Sequence, residues 1–141
     1  MSKIDKTYKP EVSNQKLSIF SARVSAGFPS PAADYEEGKL DIHKHLVKNP
    51  AATFFVRVSG DSMTGAGVHD GDLLDVDRSK EPVNNNVVIA VLDGEMTVKR
   101  LRIRSGKYSL KPENDNYPVQ EITKDSEFEV WGVVTNVIHP L

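Results

Sequence analysis

The dipeptide Asp93-Gly94 lies between the near-continuous apolar run Val87 to Leu92 and the alternating run Glu95 to Arg104. An Asp-Gly pair tolerates the positive φ values of a two-residue turn, so it ties its flanking runs together as an antiparallel hairpin. Ser105-Gly106 turns the chain again, and Lys107 to Lys111 leads back along the second run. Three strands on tight turns still have an apolar face that must be covered. Further strand patterns supply the cover: Thr53 to Val58, Asp72 to Asp77 after the turn Asp70-Gly71, and Phe128 to Ile138, where Gly132 predicts a bulge or bend. Glu113 to Asn116 reads as a loop. Leu40, Ile42, Leu46 and Val47 predict one short helix that ends before Asn49-Pro50. The expected fold is mostly β, a small curved antiparallel domain.

The N-terminal quarter follows no such pattern. Residues 1–38 are polar and interrupted by Pro10, Pro29 and Pro31, and only Leu17 to Ala26 is apolar enough to dock on anything. They read as an extended N-terminal arm, with residues 39–141 as the β-rich domain. The arm is too short and too broken by proline for a helix-turn-helix module, so no sequence-specific DNA binding is expected. A net charge of -2 gives no global field that would draw the chain onto nucleic acid. The absence of cysteine excludes disulfide scaffolds, thiol nucleophiles and thiolate metal sites. The first residues contain no apolar signal region, and no run approaches the ~18 apolar residues of a membrane span. A cytoplasmic protein that touches no membrane is expected.

Chemistry enters at Ser59-Gly60-Asp61-Ser62-Met63, a glycine-containing turn after an apolar strand that could present the Ser62 hydroxyl. A serine hydroxyl is a poor nucleophile until a base takes its proton, and a neutral lysine can be that base. Alternation puts Thr97, Lys99, Leu101 and Ile103 on one face of their strand and Val98, Arg100, Arg102 and Arg104 on the other. With three arginines, the second face reads as solvated, which leaves Lys99 the only cation on the apolar one. Burial there would lower its pKa. An ordinary surface lysine on an edge strand fits alternation equally well. The third element is Val24-Ser25-Ala26-Gly27-Phe28 in the arm, whose small residues would fit an extended peptide into a narrow cleft. Gly27 and Ser62 are separated by 35 positions. That span reaches roughly 100 Å when extended, so the arm could meet its own site or a partner's.

The run Ala26 to Tyr35 (AGFPSPAADY), Ser59 to Met63, Asp70-Gly71-Asp72 and Gly94 to Lys99 (GEMTVK) occur here in one order. Together they resemble the LexA/UmuD family of self-cleaving proteins of the SOS response. The resemblance runs from about residue 20 to the end of the chain. It implies a Ser-Lys dyad, with Ser62 as nucleophile and Lys99 as general base, in the β fold shared by the LexA C-terminal domain and signal peptidase. It further implies self-cleavage at Ala26–Gly27, stimulated by a RecA filament on single-stranded DNA, and a homodimer that needs no cofactor or metal. Members without a DNA-binding domain serve as regulatory subunits of a Y-family translesion polymerase, whose catalytic subunit is UmuC-like. In UmuD itself a cysteine precedes the scissile bond. Ala26 stands there in this chain, as in LexA-type repressors, and a small residue still fits. Two rivals remain at this stage: a non-enzymatic β module whose arm folds on a partner, and a signal-peptidase-like enzyme acting on other chains.

Other signals are weaker. Asp70, Asp72, Asp75 and Asp77 lack the ligand spacing of a calcium loop, and Asp75 and Asp77 alternate with Leu74 and Val76 as an exposed strand face would. His43, His45, His69 and His139 form no zinc motif. The basic strand Lys99 to Arg104 could touch phosphates, although such a face is more commonly just solvated.

Overall fold

The computed structural model describes residues 3–8, 17–20 and 36–141. The chain divides into two compact units, residues 11–48 and residues 1–10 together with 49–141. In the smaller unit, strands β2 (Leu17–Phe20) and β3 (Glu36–Leu40) pair antiparallel, and helix α1 (Ile42–Leu46) follows. Asp41 caps this helix by accepting a hydrogen bond from the Lys44 amide. A five-residue helix cannot sustain itself by propensity, so a satisfied N-terminus matters more here than in a longer one.

The larger unit is one sheet. Its strands are β1 (Lys3–Tyr8), β4 (Thr53–Ser59), β5 (Leu73–Asp77), β6 (Val87–Leu92), β7 (Glu95–Arg104), β8 (Lys107–Lys111), β9 (Gln120–Glu121) and β10 (Phe128–Ile138). In space they run β1-β4-β5-β10-β6-β7-β8-β9, every pairing antiparallel, and β1 also meets β7 through Lys3 opposite Thr97. The two hairpin turns form as the sequence predicts. Asp93 and Gly94 have φ of 50° and 82°, Ser105 and Gly106 of 50° and 74°, the paired positive values of the tightest hairpin. Register slips between Val130 and Gly132, which bends β10 where a bulge is expected. A Cβ on Gly132 would stand 2.5 Å from Val76 Cγ1, so the two strands approach this closely only over glycine.

The curved sheet buries apolar residues on both faces. Val56, Val58, Met63, Val68, Leu74, Val76, Ile89 and Val98 form one cluster, and Val88, Ala90, Leu101, Leu110 and Val133 form the other. Each of these side chains larger than alanine contributes about 1.5–3 kcal/mol. This arrangement corrects two expectations. Val98 does not share a solvated face with the arginines but is fully buried, because β7 is covered on both sides at its centre. Asp75 and Asp77 are not an exposed face either: β5 is a central strand, and both are buried. Desolvation raises the Asp75 pKa, opposed by hydrogen bonds from Asn136 and Thr135. Asp77 is also desolvated, but Ser79, Asn49 and backbone amides outweigh that and hold its pKa below the usual value.

Candidate active site

Ser62 stands just beyond the end of β4, on a turn that later parts of the chain hold in place. Gly60 takes a φ of 97°, open to glycine at no steric cost, and its amide donates to Asp70 Oδ1 at 2.8 Å. The Gly71 amide donates to Val58 O and the Val58 amide to Asp72 O, which joins the Asp70-Gly71 turn to the strand end. From the other side comes the loop at 113–117. The Glu113 amide donates to Ser62 O and the Gly65 amide to Glu113 O, both at 2.8 Å. Asn114 Nδ2 donates to Asp61 O, and the Tyr117 hydroxyl to the Asp61 carboxylate. That last bond raises the Tyr117 pKa, so the phenol keeps its proton.

Met63 anchors the turn in the first apolar cluster and is fully buried. Ser62 is fully buried as well, and Lys99 is 1% exposed. Lys99 reaches the serine from β7, where it lies opposite Val88 on β6. Its Nζ is 3.2 Å from Ser62 Oγ, 2.7 Å from Thr97 Oγ1 and 3.1 Å from Val98 O. These three acceptors match the three donors of an ammonium. Burial nonetheless penalises the charge and pulls the Lys99 pKa down from 10.5 to about 8. At pH 7 about a tenth of such a lysine is neutral, against well under a thousandth for a free one. A neutral amine has two donors and one lone pair, so one of the three bonds must reverse. Ser62 Oγ is the most distant of the three and carries a proton to give. Neutral Lys99 is therefore placed to accept a proton from the Ser62 hydroxyl in an enclosed setting.

The structure thus brings Ser62 and Lys99 together across 37 positions of sequence. Ala26 and Gly27 lie outside the described residues. Sequence reasoning missed Thr97 as a partner of Lys99, although its place two residues earlier on the same face was the available signal. It also missed the clamp from Glu113, Asn114 and Tyr117, which no local pattern announces. His69 belongs to another group: its ring meets that of His139 edge-on at 5.6 Å, and His139 Nδ1 lies 3.0 Å from Asp72. Among the described residues no group of three or more His, Asp or Glu side chains could hold a metal, and no helix is long and apolar enough to cross a membrane.

Known proteins resemble this chain over most of its length. Protein SamA of Salmonella typhimurium (strain LT2) is 48% identical over 121 residues, 86% of this chain and 84% of SamA. Protein ImpA of Escherichia coli is 48% identical over 121 residues, covering 86% of this chain and 82% of ImpA. Protein MucA of Escherichia coli is 45% identical over 128 residues, 89% of this chain and 87% of MucA. The family described as Peptidase S24-like matches residues 18–135. The match spans both β7 and the Ser62 turn, the LexA/UmuD resemblance read from the sequence is borne out, and the chain belongs to the Peptidase S24-like family, of the serine-peptidase kind.

Proposed function

We propose that this chain is an SOS-response autoprotease that cuts its own Ala26–Gly27 bond, with Ser62 as nucleophile and Lys99 as general base. The observation that carries the reading is the 3.2 Å approach of Lys99 Nζ to Ser62 Oγ in a buried site. Neutral Lys99 keeps its donors on Thr97 and Val98 and takes the Ser62 proton as Oγ attacks the Ala26 carbonyl. Collapse of the tetrahedral adduct breaks the bond to Gly27, whose amine leaves with the proton held by Lys99. Ala26 is then an ester on Ser62. Water attacks this ester, Lys99 again accepts a proton, and Ser62 regains its hydroxyl as Ala26 departs as a carboxylate.

In this reading residues 1–38 are the arm that carries the cleaved bond, and residues 39–141 the protease and dimerisation domain. The family resemblance supports the remainder. A RecA filament on single-stranded DNA promotes the cut by favouring the closed arm. The protein acts in the cytoplasm as a homodimer, and the product starting at Gly27 is the regulatory subunit of a Y-family, UmuC-like translesion polymerase.

The test is the rate of Gly27-fragment formation from pH 6 to 10 without RecA. Because the lysine must be neutral, the rate is expected to rise about tenfold per pH unit up to about 8, then level off. Ser62→Ala and Lys99→Arg should release no fragment, the latter because a guanidinium does not deprotonate. A flat profile, or a fragment from either variant, would overturn the assignment.

A further inference from the structure

The second half of β7 and all of β8 have one face in the core and one outside it. Leu101, Ile103 and Leu110 face the second apolar cluster. On the opposite face Arg104 pairs with Lys107, Arg102 with Ser109 and Arg100 with Lys111. Arg102, Arg104, Lys107 and Lys111 line a groove of about 460 Å³, in which Glu121 is the one carboxylate among the described residues. Four cations against one anion make a locally basic surface on a chain whose net charge is -2. Arg100, next in the row, is already engaged: its Nε lies 2.5 Å from Glu113 Oε1 and its Nη1 donates to Asn85 O at 2.6 Å. Arg102 differs, because its Nε is shielded from solvent and has no hydrogen-bond partner among the described residues. A shielded donor without an acceptor is costly, and unlike Arg100 this guanidinium is not neutralised by a carboxylate pair among those residues.

From these observations we propose that the groove binds the phosphodiester backbone of nucleic acid without reading its sequence. Alternate residues on a strand stand about 7 Å apart, so the cations form a row rather than a single pocket. Arginine forks suit phosphate oxygens. β8 offers an acidic peptide no free strand edge at its centre, because it is paired to β7 on one side and to β9 at Ser109 and Leu110 on the other. Among the described residues no aromatic ring lines the groove: Tyr108 lies on the other face of β8, 6.1 Å from Phe128. Contact therefore stops at the backbone, which positions a strand but does not select bases. The proposal does not depend on Ser62 or Lys99.

The experiment measures fluorescence anisotropy of a labelled oligothymidine strand, and separately of a duplex, titrated with the full chain at several salt concentrations. Four phosphate contacts to a single strand predict a log–log salt slope of about -2.8, or about fifty-fold weaker binding between about 50 and 200 mM salt. Arg102→Gln with Arg104→Gln should halve that slope and weaken binding at least tenfold at low salt. Lys107→Glu alone, at the exposed first residue of β8, should weaken it in the same sense. Lys44→Gln with Lys80→Gln removes as much charge outside the groove and should change little. Binding of either nucleic acid with this pattern supports the proposal, and the preferred form identifies the source of the phosphates. No binding at low salt would overturn it, as would equal loss in the Lys44/Lys80 variant or equal competition by polyglutamate.

Discussion

Lys99 is buried at a measurable cost, and pH can expose it. A folded pKa of about 8 against 10.5 for a free lysine side chain corresponds to a penalty on the order of 3 kcal/mol at neutral pH. One or two of the buried valines around it offset that much. Between pH 8 and 10.5 the unfolded chain holds more protons than the folded one. Stability should therefore rise across this window, with the full penalty felt below about pH 8. Lys99→Met removes the titration. Its stability relative to the native chain should be about 2–3 kcal/mol more favourable at pH 7 than at pH 10, measured by urea unfolding at both. An equal difference at the two pH values would mean that Lys99 is not desolvated as described.

At the scale of elements, the Ser62 turn depends on a loop some fifty residues later in the chain. Gly65 shows how tight the fit is: a Cβ there would lie 2.6 Å from Glu113 O, a backbone atom that cannot swing aside. Gly65→Ala should cost about 1–3 kcal/mol, because overpacking must displace the loop or the turn. It should also slow Gly27-fragment release by at least tenfold, since the displaced atoms are bonded to Ser62 through Glu113. Asn114→Ala removes the bond to Asp61 O and the one that Asn114 Oδ1 accepts from the Asn116 amide, and should cost about 1–2 kcal/mol. Native stability and native cleavage in Gly65→Ala would show that the loop does not hold the turn. Strands β6, β7, β8 and β10 were legible to the residue because turn dipeptides and apolar alternation bound them. β1, β2 and β3 were not: their sequences KIDKTY, LSIF and EEGKL are too polar or too short for periodicity to register.

Across the whole molecule, the first residues join the larger unit while residues 11–48 form the other. β1 covers the outer edge of β4, from Lys3 opposite Ser59 to Tyr8 opposite Phe55, and reaches Thr97 on β7. A chain starting at Gly27 lacks β1, which leaves β4 with β5 as its partner among these pairings. Such a truncated protein should exchange its β4 amides facing that edge on the order of tenfold faster than the full chain, read by hydrogen–deuterium exchange. The central strands β5, β6 and β10 should be unchanged. Unaltered protection across Phe55 to Ser59 would mean that β1 does not cover this edge in solution.

Local chemistry alone determined the antiparallel β class, the two hairpin turns and the bend at Gly132. Turn φ preferences and side-chain alternation act over a few residues and leave their mark directly in the sequence. The motifs around Ser62 and Lys99 were legible as a family resemblance. Whether Lys99 is buried was not, because alternation gives a face and not what covers it. That was decided when the sheet curved to bury both faces of β7, which also took in Val98, and when β5 became central and enclosed Asp75 and Asp77. The clamp on Ser62 belongs to the same class. Its partners Glu113, Asn114 and Tyr117 are ordinary loop residues until folding brings their loop beside the turn, and only tertiary packing makes that contact.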